Sequence, residues 1–407
     1  MRSRIADSQQ EPPTIATIEL NLPDTRSPLE RFRTEPKKAL SVTDLVSPAW
    51  CELQYWYTLT IHGRKKRTAA MKQGSIVHQK LEDQVYTTVK VDIESKEDAW
   101  GLRIWNVIQG LRTLRETGQT RELEIWGTID GLVVNGVIDE LSYLCPNEDM
   151  ESSIEKKSSK KISQADQPAI SDFFKSKKIS TTKTITRNHY QGKKIYVCDV
   201  KTRGVKSLPA DSAFRPTKMQ LMLYHNMLGS LAANMIDFRI IIDRYKLDAE
   251  KMFSDAFIAQ VGNLNDNEYD TPEASQESYQ WTQNSMNTLL AHNSLSSLWS
   301  LMIAEFQATM PDGINSLGNT LRAEYRSRDT GQILGSKTFP MDTVGLKAYL
   351  QREMQWWRGD RPAQGVEIEE AFKCRSCDFA DDCEWRLKKV DEAKEKLRLS
   401  RKKMVAA

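Results

Sequence analysis

Cys374, Cys377 and Cys383 lie within ten residues, in Cys374-Arg-Ser-Cys377-Asp-Phe-Ala-Asp-Asp-Cys383. Three thiols so close leave a four-ligand soft-metal site one ligand short. Cys51, in Ser47-Pro-Ala-Trp-Cys51, is the candidate fourth, and it would tie an early segment to a late one. Cys198 adjoins Asp199 on an expected strand and should point to the opposite face, while Cys145 opens a polar stretch. A second set is acidic. Asp139 follows a run of β-formers, and Asp199 and Lys201 are two apart on another, so their side chains share a face. Two carboxylates and an ammonium brought together suit metal-assisted phosphodiester hydrolysis. Carboxylates hold Mg²⁺ (or Mn²⁺), the ion polarises the phosphate and lowers the pKa of a bound water, and the lysine neutralises developing charge.

The elements that must position these residues can be read from periodicity. Residues 1–40 are polar, with Pro12, Pro13, Pro23, Pro28 and Pro36, and read as a disordered tail. Ser41–Ile61 reads as helical. It carries Trp50, Tyr55, Trp56 and Tyr57, aromatics expected in the core rather than stacked on bases. Helices are expected over 68–86 and 95–116. Strands are expected over 122–134 and 137–143, joined by Asn135-Gly136, a strong hairpin signal. That turn would place Asp130 and Asp139 on one face, making Asp130 an accessory candidate beside Glu82, which lies one helical turn from His78. Residues 146–193 are Ser/Lys-rich without period and read as a disordered insertion. A strand at 194–202 follows, then a helix opened by Pro216. Beyond it are a strand near 238–245, helices around 276–309, a hairpin around 319–338, a helix near 342–357 and a basic helix from 382 to 403. The domain is expected over 41–390, with a basic tail at 391–407. There is no internal repeat.

Bulk properties bound the class. The 407 residues are 39% hydrophobic and 28% charged, enough for one large domain or two ordinary ones. Six cysteines, three of them bunched, do not read as a secreted disulfide framework, so a reducing compartment is expected. No apolar run approaches the roughly 20 residues that span a bilayer, so no membrane partner is expected. The start, Met1-Arg-Ser-Arg, has no secretory apolar core. It is a weak mitochondrial signal because Asp7 and Glu11 follow early. A net charge of +3 does not itself announce nucleic acid. Local clusters do so better: Arg64–Arg67, Lys156–Lys161, Lys175–Lys178 and Arg398–Lys403.

Taken together, the motifs resemble the exonuclease V family, single-strand DNA exonucleases with a RecB-like PD-(D/E)XK core and a [4Fe–4S] cluster. The resembling segments are Ser47–Cys51, Gly74-Ser-Ile-Val-His78, Gly136-Val-Ile-Asp139-Glu-Leu, Asp199-Val-Lys201-Thr-Arg203, Gln220–Tyr224 and Cys374–Cys383. The resemblance implies an α/β fold, a mixed central sheet flanked by helices, with an iron–sulfur clasp joining the N- and C-terminal segments. It implies His78, Asp139 and Asp199 as Mg²⁺ ligands, Lys201 as catalytic, Gln220 and Tyr224 as a site motif, and Cys51, Cys374, Cys377 and Cys383 as cluster ligands. A Cys₄ zinc staple remains the alternative for the thiols. Asp199 stands where many relatives carry Glu, which changes reach but not chemistry.

Other partners follow from shorter signals. Single-stranded DNA would meet Arg203, Arg215 and Lys218 along a basic path. Gln167-Pro-Ala-Ile170-Ser-Asp-Phe173-Phe174 matches the peptide that binds the PCNA sliding clamp. A short turn would put Ile170, Phe173 and Phe174 on one side as an apolar plug, with Gln167 in a polar pocket. A single-strand-binding protein is a further expected partner, and the chain is expected to be a monomer. Lys156–Lys161 reads as a nuclear import signal, with the mitochondrion as the alternative compartment. The competing functions are a zinc-stapled DNA- and clamp-binding adaptor without catalysis, and a related nuclease cutting RNA or acting endonucleolytically.

Overall fold

A computed structural model describes residues 24–63, 67–83, 91–163, 190, 192–262 and 285–405. Its frame is a six-stranded mixed sheet in the order β1-β3-β4-β5-β6, with β2 paired to β3. The strands are β1 (Leu40–Ser41), β2 (Gln119–Ile129), β3 (Leu132–Ser142), β4 (Tyr196–Arg203), β5 (Thr320–Ser327) and β6 (Ile333–Pro340). β3 runs antiparallel to β2 and β4, β4 runs parallel to β5, and β5–β6 is the expected hairpin.

The β2–β3 turn differs from expectation. It is Asp130-Gly131, with φ of 53° and 79°, the double positive φ of a tight hairpin. Asn135-Gly136 lies mid-strand, with Gly136 opposite Ile125. Both dipeptides suit such a turn, and tertiary packing chose between them. A Cβ at Gly136 would lie 2.7 Å from the Tyr224 ring and 2.8 Å from a Val42 methyl. Glycine is there for close approach, not for turning. The new register removes Asp130 from the sheet face of Asp139. Asp130 instead pairs with Arg358 at 2.8 Å, at the hairpin tip.

Helices cover the sheet. α5 (Lys96–Thr117) starts on a capping box from Ser95 and Asp98 and ends at Gly118 in the left-handed conformation. It buries Trp100, Ile104, Val107, Ile108, Leu111 and Leu114 against β2 and against the helix Leu295–Thr309. Trp126, fully buried on β2, meets Trp100 and Trp299 at centroid distances of 5.5 and 5.9 Å. α7 (Asp211–Ala232) buries Leu221, Leu223, Tyr224, Met227, Leu228 and Leu231. Pro216 does not open this helix but sits in its second turn, where it removes one backbone hydrogen bond.

Three further expectations are corrected. The stretch Phe238–Tyr245 is a helix, not a strand. Its three isoleucines mimic a β-run, but Asp237 caps the N-terminus through the Arg239 N–H and only Ile241 is fully enclosed. The start of the presumed insertion is the helix α6 (Glu148–Ser163). It needs no apolar period because one buried carboxylate anchors it: Glu151 accepts from the Asn319 and Thr320 N–H groups, the Thr320 hydroxyl and Lys194. The presumed tail is packed from Pro28 onward. α1 (Pro28–Phe32) opens on a Ser27–Glu30 capping box, Phe32 packs edge-on to Trp56, and Arg31 lies 5.0 Å over the Trp56 ring. The clamp-peptide residues Gln167, Ile170, Phe173 and Phe174 lie outside the described residues.

The segment from 41 to 62 is broken into α2 (Val42–Val46), a 3₁₀ turn at Ser47–Ala49 and α3 (Glu52–His62). Of the four aromatics, Tyr55 is in the core, buried against Trp356 and Trp357, whereas Trp50, Trp56 and Tyr57 are half-buried. The helices Thr343–Arg358 and Glu384–Val405 fall close to where periodicity puts them. Among the described residues no helix is long and apolar enough to cross a membrane.

Candidate active site and thiol site

Neighbouring strands and two helices build one polar centre. β4 sends Asp199 and Lys201 to one face, and the Lys201 ammonium donates to Asp199 Oδ1 at 2.8 Å. The other Asp199 oxygen, Oδ2, is buried and has no hydrogen-bond partner among the described residues. Burial pushes the Asp199 carboxyl up to about 7, against the pull of Lys201 and with a further push from Asp139. Burial pulls the Lys201 ammonium down, but the Asp199 and Asp139 charges outweigh it and raise the group overall. Such an acid, dry and half-satisfied, has a lone pair free for a cation. Asp139, on β3, takes the Val200 N–H at 2.7 Å through Oδ2, which locks the two acidic strands together.

α4 (Ala69–Glu82) supplies His78. Its contact stripe is Gly74, Val77 and Leu81, and Val77 and Leu81 form a small apolar cluster with Val200, apart from the main core. A Cβ on Gly74 would sit 2.9 Å from Thr202 Oγ1, so glycine lets the helix settle onto β4. His78 Nδ1 lies 3.3 Å from Glu122 Oε1 and 3.8 Å from Asp139 Oδ2. Burial lowers the imidazole pKa, but the bond to Glu122 and the charges of Asp139 and Glu122 more than offset it, leaving the group raised.

Glu122 is the candidate metal ligand that sequence reasoning missed. His78, Glu122 and Asp139 each offer a ligand atom, all within 4.8 Å of one another, a set that could hold a metal ion. Glu122 adopts φ 50°, and the β2–β3 ladder registers Arg121 with Glu140 and Leu123 with Ile138 but skips the pair between them. The skipped partner is Asp139. Placing the turn at Asp130-Gly131 would have found it, because that register sets 122 opposite 139. Glu82 stands at the edge: burial raises its carboxyl, and the Glu122 charge adds to the rise. On α7, Gln220 Nε2 donates to the Tyr224 hydroxyl at 3.2 Å, and burial raises the Tyr224 phenol with Asp139 and Asp199 as electrostatic neighbours.

The basic candidates divide. Arg215 is tied to Glu370 in a two-bond ion pair, so its charge is committed. Lys218 rests 5.9 Å over the Phe339 ring. Arg203 lies 5.8 Å over Tyr325.

The four expected thiols line one cavity with Trp50, Tyr57, Lys373 and Trp385. Cys51 caps α3, Cys374 lies in the 3₁₀ helix Ile368–Ser376, and Cys383 immediately precedes the last helix. Burial raises Cys51 to about 11, and Cys377, Cys383 and Cys374 each add to the rise, so the four sulfurs share one space. Four soft donors converging in a half-buried pocket fit a four-thiolate metal group. The two ends also meet without it. Glu52 takes two bonds from Arg361 and the Gln364 N–H, and Lys373 donates to the Trp50 carbonyl at 2.9 Å. Cys198 is buried on the far face, as expected, with Arg322 Nε at 3.1 Å.

These features define a mixed α/β protein whose sheet presents a carboxylate–histidine–lysine centre. Residues 27–386 match the family described as "Exonuclease V - a 5' deoxyribonuclease". The chain is 25% identical over 363 residues to "Exonuclease V" of Danio rerio, covering 88% of this chain and 73% of that one. It is 23% identical to "Exonuclease V, mitochondrial" of Candida glabrata, over 85% of this chain and 79% of the relative. It is 22% identical to the protein of the same name from Kluyveromyces lactis, over 85% and 75%. The chain belongs to the exonuclease V family and is a DNA exonuclease, a hydrolase. That membership decides for an enzyme over the non-catalytic adaptor.

Proposed function

We propose that the chain is a divalent-metal-dependent exonuclease acting from the 5′ end of single-stranded DNA, on a RecB-like PD-(D/E)XK core. The observation that carries this reading is Asp199 Oδ2, a buried carboxylate oxygen without a partner, two residues from Lys201 and close to Asp139 and His78. Mg²⁺, when bound, would activate a water and offset phosphate charge. His78, Asp139 and Asp199 are its proposed holders, with Glu122, which shares a donor set with His78 and Asp139, as a fourth. Lys201 neutralises charge that develops on the phosphate oxygens. The Gln220–Tyr224 pair braces the wall of the site, because the Tyr224 ring abuts Gly136 three residues from Asp139. Oligonucleotides labelled at either end test the reading. Wild type should release the 5′ label in Mg²⁺ and spare ends that are blocked. Asp199→Ala should lose at least about 10³-fold in rate while still binding the strand. Mg²⁺-dependent cleavage persisting in Asp199→Ala would sink the site.

The thiols of Cys51, Cys374, Cys377 and Cys383 are proposed to hold a [4Fe–4S] cluster whose local task is structural. Purified protein should be brown and carry iron, and a colourless protein with one zinc would select the Cys₄ zinc alternative. Gln167, Ile170, Phe173 and Phe174 are proposed as a clamp-binding peptide. Clamp affinity unchanged by Phe173→Ala/Phe174→Ala would remove that partner. Yeast relatives named mitochondrial support the mitochondrial alternative for compartment. A nuclear address rests on Lys156–Lys161 alone.

A further inference from the structure

His78 belongs to a row of residues that runs out of the site along α4. Met71, Ser75, His78 and Glu82 are spaced four, three and four apart, so they lie along one side of the helix. The neighbouring row, Gly74, Val77 and Leu81, is the buried one that seats the helix on β4. At the C-terminal end of the outer row, His78 and Glu82 are half-buried, and both are electrostatic neighbours of Glu122. At its N-terminal end Ser75 and Met71 are exposed. The row therefore leads from the metal-ligand set out to solvent.

Arg67 is folded back onto this row. It precedes Thr68, the N-cap of α4, and its Nη2 donates to Ser75 Oγ at 2.6 Å. The Ser75 hydroxyl gives its own proton to the Met71 carbonyl at 3.1 Å, so its oxygen is free to accept from the arginine. Residues three apart on a helix have Cβ atoms about 5–6 Å apart, so Ser75 holds the guanidinium one helical turn from His78. Among the described residues Arg67 forms no ion pair with an acid. A neutral hydroxyl thus orients the guanidinium without cancelling its charge. Arg215, by contrast, is neutralised by Glu370. An oriented guanidinium with its charge intact and donors left over suits a phosphate oxyanion, which it can take through two parallel N–H bonds.

We propose that Arg67, oriented by Ser75, contacts a backbone phosphate of the DNA strand on the α4 side of the site, next to the phosphate that is cut. This rests on the single-strand exonuclease reading above and names one contact through which the strand is held. Arg67 is the binding residue, and Ser75 is a positioning residue that acts through it.

The test is fluorescence anisotropy of the full chain with a labelled single-stranded oligonucleotide, without added divalent ion, across a salt series. Arg67→Ala should weaken binding about tenfold and reduce the slope of log affinity against log salt by roughly 0.7, one phosphate contact. Arg67→Lys should keep the slope while recovering only part of the affinity. Ser75→Ala should weaken binding about threefold with the slope kept, because the charge remains but is no longer oriented. That loss should disappear in the Arg67→Ala background, a coupling that a serine with a merely structural role would not show. Lys80→Ala removes the same charge from the opposite flank of α4 and should change affinity by less than about twofold. The Arg67→Ala loss should be equal on 5′-hydroxyl and 5′-phosphoryl oligonucleotides, and a loss confined to the phosphorylated end overturns the backbone assignment. Affinity and slope unchanged in Arg67→Ala, or lowered as much by Lys80→Ala, with wild-type Tm, overturn the contact and leave the exonuclease reading standing. A wild-type chain that fails to bind the oligonucleotide would overturn that reading itself.

Discussion

Glu122 occupies a left-handed backbone conformation that side-chain-bearing residues avoid, at a cost on the order of 1–3 kcal/mol. The bend breaks one rung of the β2–β3 ladder and brings its carboxylate to 3.3 Å from His78. Strain of this kind persists where the surroundings over-determine it, and here it completes a three-residue donor set. Glu122→Gln should raise the Mg²⁺ concentration for half-maximal rate about tenfold, with Tm within a degree or two of wild type. A titration of rate against Mg²⁺ that superimposes on wild type would relegate Glu122 to a structural kink. A second residue-scale prediction concerns His225, next to Tyr224 but buried away from the site. Burial pushes its imidazole down to about 4. A histidine neutral in the fold and ordinary when unfolded contributes stability above the unfolded value near 6.5. That stability is lost as pH falls from there toward 4, by up to about 3 kcal/mol. His225→Leu should therefore flatten the fall of Tm between pH 7 and pH 5. An equally steep fall in the variant would assign the acid sensitivity to other groups.

At the scale of elements, the hairpin turn decides what the acids can do. With Asp130-Gly131 at the tip, Asp139 faces Glu122; with Asn135-Gly136 there, it would face position 132. Gly136 is then free to let Tyr224 and Val42 pack against bare backbone. Gly136→Ala should cost about 1–3 kcal/mol in chemical denaturation and lower the cleavage rate, because β3 must shift where Asp139 is mounted. A variant as stable and active as wild type would show that the β3–α7 approach has slack. α4 is held differently: among the described residues its apolar cluster is Val77, Leu81 and Val200. The histidine-bearing helix thus packs on β4 rather than on the main core.

Across the whole molecule, the thiol pocket and the Glu52 network join residues about 310 positions apart, with strands β2–β6 lying between them in sequence. Closing so long a loop stabilises the fold by restricting the unfolded chain. Glu52→Ala strips the partner from Arg361 and should destabilise by about 3 kcal/mol. Cys51→Ala should lower bound metal per chain and the Tm together. A Cys51→Ala protein that keeps full metal, Tm and cleavage would mean the clasp is dispensable.

The sequence by itself determined the order and identity of the chemical groups. Asp199 and Lys201 share a face through strand alternation, Gln220 and Tyr224 through helical spacing, and the three late cysteines through proximity, all local relations that periodicity encodes. It also marked α4, α5, the β5–β6 hairpin and the last two helices, whose signals are long and regular. Only the tertiary structure decided the relations that depend on register and enclosure. It chose between two turn dipeptides by asking which glycine had to admit Tyr224, and so put Glu122 rather than Asp130 beside Asp139. It made a helix of Phe238–Tyr245, whose isoleucines read as a strand, because one face had a core to meet and the other did not. It anchored α6 through the single buried carboxylate of Glu151. Spacing along a chain fixes which groups can share a face, whereas which groups oppose one another across strands is a property of the packed whole.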